Sequence, residues 1–340
     1  MTFVLKKILD LLATRSPAGL ISSNTFAFIK PLGMILPDEI TYGLGFETRL
    51  ADPSSEADFI LRPLAPSGLE AIAALDARSG FPMRLAQNEN WSSLEDLCRV
   101  WSAPGSPLHE ATLCLWIEVD SEQLRQAVPS PSLVFVQLKE PCCSLELYES
   151  IAQAIHMSLK GCAMPLPITK HFLRCIEMMP EKGLMRLLGL PVARPTEAFR
   201  VVVGELEPDE IPEYVCSVGW KGRAKELESL IFSLGGYADR HSINFDLNRQ
   251  GIGKIGIEFG IPQEHSQSSD PRWEMILDFL VKQGWCRKEK RDGLLAWPKP
   301  LTLMVDDSRS IPMRRFISHV KLSLEAGRRV VAKAYVGLVW

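Results

Sequence analysis

The 340-residue chain lacks nearly every feature by which a sequence announces a function. No charge of one sign predominates: 38 basic and 41 acidic side chains leave a formal charge of -3, with no global field to draw nucleic acid or an anionic membrane. Any anion site must therefore be local. No run approaches the roughly 20 apolar residues of a membrane span. In the N-terminal MTFVLKKILDLLATRSPAGL the apolar stretch is broken by Asp10 and Arg15. That segment reads as an amphipathic first helix, and the chain as a cytoplasmic protein with no nucleic-acid or membrane partner.

Metal and redox signatures are missing too. The eight cysteines (Cys98, Cys114, Cys142, Cys143, Cys162, Cys175, Cys216, Cys286) include no C-x-x-C, and the six histidines (His109, His156, His171, His241, His265, His319) have no ligand spacing. Patterns such as FLRCIEMM place the thiols as buried and free, and the histidines read as surface or helix-face residues with no metal among them. There is no P-loop, H-E-x-x-H, G-x-S-x-G or EF-hand loop. GIGKIG at 251–256 matches G-x-G-x-x-G, but IEFGIP follows it where a dinucleotide site needs a helix, so it reads as part of a hairpin. RKEKRD at 287–292 reads as a solvated helix end.

What the chain does have is order in its periodicity. With 46% hydrophobic and 23% charged residues it can bury a sizeable core. Helix-like and strand-like segments alternate in pairs. FVLKKILDLLA and NTFAFIKPLGM precede ITYGLGFETRL and ADFILRPL; SGLEAIAALDARSG and SSLEDLCRVWSAP precede TLCLWIEVD and SLVFVQL. In a third unit LELYESIAQAIHMSL and the whole of ITKHFLRCIEMMPEKGLMRLLGL read as helices, leaving AFRVVVGEL a strand without an evident partner. EPDEIPEYVCSVGW and AKELESLIFSLGGYA are helical and lead to HSINFDLNRQG and IGKIGIEFGIP. Last come DPRWEMILDFLVKQGW, KEKRDGLLAWP and two closing strands in HVKLSLEAGRRVVAKAYVGLVW. Five helix-helix-strand-strand units follow, approximately 1–64, 65–138, 139–205, 206–262 and 263–340, within a single domain 1–340.

Each strand has an aliphatic face and an unusual opposite face. Opposite Tyr42, Leu44, Phe46 and Thr48 lie Gly43, Gly45, Glu47 and Arg49; opposite Leu113, Leu115, Ile117 and Val119 lie Cys114, Trp116, Glu118 and Asp120. Asn244, Asp246 and Asn248, then Lys254, Gly256 and Glu258, then His319, Lys321 and Ser323, then Lys333 and Tyr335 continue the set, and Arg62 and Arg200 join it. Paired helices need an apolar sheet face to pack on, so the polar faces look away from them. The expected fold is α+β: about ten antiparallel strands closed into a barrel, ringed by helices, with the polar faces lining the lumen. Within it, Lys254, Lys321 and Lys333 with Arg49, Arg62 and Arg200 form a set suited to a phosphate or diphosphate. Pairing with Glu47, Glu118, Asp246 and Glu258, or hydration on an open sheet, accounts for the same cations without a ligand.

A succession of such units around a polar lumen resembles the ABBA prenyltransferases, whose barrels transfer isoprenoid groups to aromatic and peptide acceptors. The resemblance covers most of the chain as architecture and little of it as motif. It implies that Arg49, Lys254, Lys321 and Lys333 hold the diphosphate of an allylic donor. Lys333 and Tyr335 in AKAY are similar to the family's Lys-x-Tyr pairing, with Tyr335 shielding the allyl cation and Trp116 stacking on the acceptor. Glu118 in LWIEVD looks like the acceptor-side carboxylate, with Glu47 as its substitute. Gly256 stands where a second shielding tyrosine is expected, and the chain has only five tyrosines. The implied partners are a prenyl diphosphate and an aromatic small molecule or peptide, as in ribosomal-peptide natural-product biosynthesis. No cofactor is required; Mg²⁺ would enter only with the diphosphate, since no Asp-rich cluster offers it a cage. Two other readings stay open: a non-catalytic peptide-binding accessory protein of natural-product maturation, and a two-domain α+β protein with solvated sheet faces.

Overall fold

The computed structural model describes residues 4–74, 88–139, 144–194, 196–262, 270–306, 308–325 and 327–340. Cys142, Cys143 and His265 lie outside the described residues.

Helices Val4–Arg15 and Ser23–Ile35 lead to strands β1 (Gly43–Arg49) and β2 (Ala57–Leu61). Ser67–Ala73, Glu89–Ser102 and the short Pro107–Ala111 precede β3 (Thr112–Val119), and the turn of helix Ser121–Leu124 joins it to β4 (Leu133–Leu138). Leu145–Lys160 and Leu166–Glu177 precede β5 (Leu184–Pro191) and β6 (Phe199–Gly204); Glu210–Ser217 and Ala224–Leu234 precede β7 (Arg240–Asn248) and β8 (Gly251–Gly260). Pro271–Lys282 and Lys288–Ala296 then lead to β9 (Leu301–Met304), β10 (Ser310–Glu325) and β11 (Val331–Val339). Several helices start on a side chain that takes an otherwise unpaired backbone N–H: Ser22, Asn88, Ser144 and Asp270 each cap in this way.

The sheet closes. Strands pair antiparallel in the order β11-β1-β2-β3-β4-β5-β6-β7-β8-β10, and β10 pairs back onto β11, so ten strands form a barrel. β9 pairs only with Ser310–Met313 at the start of β10 and stands outside the ring. The helices cover the outside, and the main apolar core is the layer between them and the barrel's aliphatic faces. Phe46 of β1 is fully buried there, its ring 5.8 Å from Phe59 and 6.1 Å from Trp297. Each such ring stabilises the layer by about 1.5–3 kcal/mol through burial alone.

Four expectations need correction. GLMRLLGL does not extend a helix: the helix ends at Glu177, and Leu184–Pro191 is the partner that Phe199–Gly204 lacked. A bulge between Met185 and Leu187 breaks the strand's alternation, and both its faces are apolar, so no period of two was visible. RKEKRD is not wholly solvated, because Lys290 is 1% exposed and its Nζ donates to Thr48 Oγ1 (3.0 Å) and Leu20 O (3.1 Å). Burial pushes its pKa down to about 8. Two histidines are on neither the surface nor a helix: His241 of β7 is buried with a ring nitrogen donating to Gly235 O (3.1 Å), and His319 turns into the lumen, whereas His156 is on a helix face as expected, its ring nitrogen donating to Cys162 O (2.7 Å). Cys98, Cys114, Cys175 and Cys286 are buried free thiols as expected, whereas Cys162 and Cys216 are exposed.

Candidate functional site

Strand register decides which inward side chains share a level of the lumen. Across the closing strands Arg49 lies opposite Lys333, Lys333 opposite Lys321, and Lys321 opposite Glu258. Two residues along the same faces, Glu47 lies opposite Tyr335 and Tyr335 opposite His319. A third row runs Lys254, Asp246, Arg200, Gly189, Phe135, Trp116 across six strands from β8 to β3. Glycine is needed where side chains lie against the wall: a Cβ at Gly256 would overlap the Lys321 stem, one at Gly189 the Phe135 ring and one at Gly337 the Phe316 ring.

The charges are mostly matched. Lys333 Nζ donates to one oxygen of Glu47 and the Tyr335 hydroxyl to the other. Burial opposes the Glu47 charge, but Lys333, the Tyr335 hydroxyl and Lys321 outweigh it and hold the carboxyl well below the usual range. Burial and then Glu47 push the Tyr335 phenol well above its ordinary value, so it stays a proton donor. Arg200 grips Asp246 at 2.5 and 3.0 Å. Arg194 reaches in from the loop after β5 to Asp120 (2.8 Å) and Glu118 (3.2 Å). Lys321 Nζ donates to Asn244 Oδ1 (2.5 Å) and lies 3.5 Å from Glu258.

Three groups have pKa values displaced in the direction that disfavours their charge. Lys254 makes no hydrogen bond or ion pair with any described residue; burial first, then Lys333, Arg200 and Lys321, pushes its pKa down to about 8. Burial raises the Glu118 carboxyl, with Glu47 adding to the shift and Arg194 opposing it. Burial and Glu47 push Asp58 up to about 7, although Arg49 lies at 3.3 Å and the Ser121 N–H donates to it at 2.8 Å. Lys254 borders a cavity of about 60 Å³, lined also by Glu47, Arg194, Arg200, Asp246, Lys321, Ser323, Lys333 and Tyr335 among others.

One wall is apolar. Leu133, Phe135 and Val202 with Trp116 and Leu187 form a cluster separate from the outer core. The Trp116 N–H donates to Gln137 Oε1 (2.9 Å), the Arg62 guanidinium lies 4.9 Å from the Trp116 ring, and Arg200 lies 5.9 Å from Phe135. Of the residues singled out from sequence, Glu47, Lys254, Lys321, Lys333 and Tyr335 border one cavity. Glu118 is linked to it through Arg194, Trp116 stands on the apolar wall, and Arg49 pairs with Asp58 with its side chain 45% exposed. Sequence reasoning passed over Arg194, Asp58 and Phe135. Asp58 and Phe135 alternate with outward aliphatics in ADFIL and LVFVQL, which was a usable signal; Arg194 sits in a loop and had none.

Among the described residues no group of three or more His, Cys, Asp or Glu is placed to hold a metal, and no helix is long and apolar enough to cross a membrane. No protein-family model matches the chain, and no curated protein matches its sequence. Solved structures do match. The prenyltransferase PriB superposes with a TM-score of 0.54 over 98% of this chain and 94% of its own, at 14% identity. The 5-dimethylallyltryptophan synthase from Streptomyces coelicolor gives 0.54 over 98% and 96% at 13%, and AnaPT from Neosartorya fischeri 0.53 over 97% and 90% at 11%. PriB has been solved with L-tryptophan and dimethylallyl thiolodiphosphate bound. The chain thus has the PT-barrel fold of the ABBA prenyltransferases.

Proposed function

We propose that the protein transfers a prenyl group from an allylic diphosphate to an aromatic acceptor, a small molecule or a peptide side chain, in the assembly of a natural product. The observation that carries this reading is the meeting of Lys254, Lys321, Lys333 and Arg200, from four different strands, around one cavity, with Lys254 lacking any protein partner among the described residues. A buried, unpaired cation is costly unless an anion arrives.

In this reading the C1–O bond of the donor breaks, its electron pair leaves with the diphosphate, and the lysines and Arg200 stabilise that charge. The allyl cation forms beside the Tyr335 ring, an acceptor carbon on the Trp116–Phe135 side bonds to C1, and Glu118 takes the acceptor's proton. Glu118 suits that role better than Glu47, because burial raises its carboxyl whereas Lys333 and Tyr335 keep Glu47 ionised. No metal is required in this reading, and Mg²⁺ would enter only as the donor's companion. The peptide-binding alternative is confined to β9 for its simplest mode, since every barrel strand is paired on both sides and strand addition needs a free edge.

The test is calorimetric titration of dimethylallyl thiolodiphosphate into the wild type, Lys321→Ala and Lys333→Ala. Losing a charge-assisted contact should weaken binding by about ten-fold or more in each variant. Unchanged affinity in both would sink the assignment, and product analysis with L-tryptophan, other aromatics and a Trp- or Tyr-containing peptide would name the acceptor.

A further inference from the structure

We propose that His319 is a second aromatic face of the cation-binding wall, acting with Tyr335, and that its imidazole must be uncharged for turnover; this rests on the prenyl-transfer reading above. The two rings are stacked, with centroids 4.2 Å apart and planes 20° from parallel. A bulge in β10 between Ile317 and His319 aims the histidine: Ile317 lies in the outer core, and only the extra residue turns His319 inward. The stacked pair sits two residues along β10 and β11 from Lys321 and Lys333, a rise of about 7 Å. An allyl group extending from a diphosphate held at the lysines would pass beside these rings.

His319 differs from the other buried histidines. His156 and His241 each donate to a backbone carbonyl, as a histidine kept for packing does. His319 has Nδ1 3.0 Å from Ser318 Oγ, while its Nε2 is buried without a hydrogen bond, 3.6 Å from Glu258. Gly256, where a tyrosine would add a face, lies against the Lys321 stem, and beside the lysines Tyr335 borders the cavity with His319 stacked on it. The groups facing the imidazole are Tyr335 on β11, Glu258 on β8, Glu47 on β1 and Lys321 on β10. Burial first, with Lys321 adding to it and Glu258 and Glu47 opposing, lowers its pKa, and a neutral ring attracts a cation that an imidazolium would repel.

The test compares His319→Ala and His319→Phe in the full-length protein. With dimethylallyl diphosphate, His319→Ala should lower kcat about thirty-fold with donor KM changed by less than about three-fold. The ring of His319→Phe should rescue turnover to within about five-fold of wild type and, because it does not titrate, should reduce the acid limb of the kcat–pH profile from two ionisations, His319 and the Glu118 base, to the one of Glu118. If His319→Phe is as inactive as His319→Ala, or keeps an acid limb superimposable on that of the wild type, the proposal is overturned. A binding arm stands apart from turnover: dimethylallylamine, an ammonium ion at neutral pH, is titrated in the presence of inorganic diphosphate. His319→Ala should bind it about ten-fold more weakly while binding diphosphate alone as wild type does. Should the wild type bind diphosphate yet prenylate no acceptor, the functional reading fails and the amine titration alone decides His319: equal amine affinity in wild type and His319→Ala overturns it. Should the wild type bind no diphosphate, both readings fall.

Discussion

Lys254→Met should make the empty protein more stable and a poorer binder of diphosphate. Burial takes the Lys254 pKa from 10.5 to about 8, with Lys333, Arg200 and Lys321 adding to the shift and Asp246 opposing it as a counter-charge. At about 1.36 kcal/mol per pKa unit, holding that ammonium charged at neutral pH costs the fold at most about 3 kcal/mol. Local relaxation and counter-ions reduce this, and about 1–2 kcal/mol is a realistic gain on replacing the ammonium with a thioether of similar length. Unfolding entropy for a chain of this size is about 0.7 kcal/mol per degree, so Tm should rise by about 1.5–3 °C. The pH dependence has a definite sign. Between pH 8 and 10.5 the unfolded chain keeps the Lys254 proton that the folded chain has lost, so wild-type stability rises across that window and the gap to Lys254→Met closes. Lys290 titrates in the same window in both proteins and cancels. Calorimetry with inorganic diphosphate at pH 7 should show a ten- to hundred-fold loss of affinity, roughly the worth of one charge-assisted contact. A lower Tm in Lys254→Met would mean that the lysine has a stabilising partner, and undiminished affinity would place the anion elsewhere.

Two further outcomes follow from the lumen. Gly189→Ala pushes a methyl group into the Phe135 ring and should cost about 1–3 kcal/mol in urea unfolding, with diphosphate affinity unchanged; full stability would show that the ring moves freely, and lost affinity would show that this wall touches the anion. Because lysines and arginines face the cavity and no metal-binding cluster exists among the described residues, EDTA should change the rate of prenyl transfer by less than about two-fold, measured by product chromatography. A loss of ten-fold or more, restored by Mg²⁺, would assign the diphosphate charge to a metal instead.

How far the molecule is legible without coordinates depends on the range of the interaction concerned. TLCLWIEVD and HSINFDLN alternate strictly, and their inward faces follow from the pleat: Trp116 and Glu118, Asn244 and Asp246 all face the lumen. LMRLLGLP has no such contrast, because its inward Leu187 belongs to an apolar wall and its outward Leu188 to the core, and a bulge between Met185 and Leu187 shifts the phase. Lys290 was unreadable for a different reason. It lies in the most charged hexapeptide of the chain, and only the meeting of its helix with Thr48 and Leu20, both more than 200 residues away, buries it.

The sequence by itself determined which residues share a strand face, since side chains in a strand alternate whatever the strand packs against. From that came the polar set, the aliphatic set and the helix pairs that must cover the latter. Register and closure belong to the tertiary structure, because they depend on contacts between strands as distant as β1 and β11. Those contacts neutralised Lys333 with Glu47, satisfied Lys321 through Asn244, stacked His319 on Tyr335 and left Lys254 with no hydrogen bond or ion pair among the described residues. Equivalent lysines in the sequence thus became unequal in the lumen, because a buried charge takes its properties from its neighbours across the barrel.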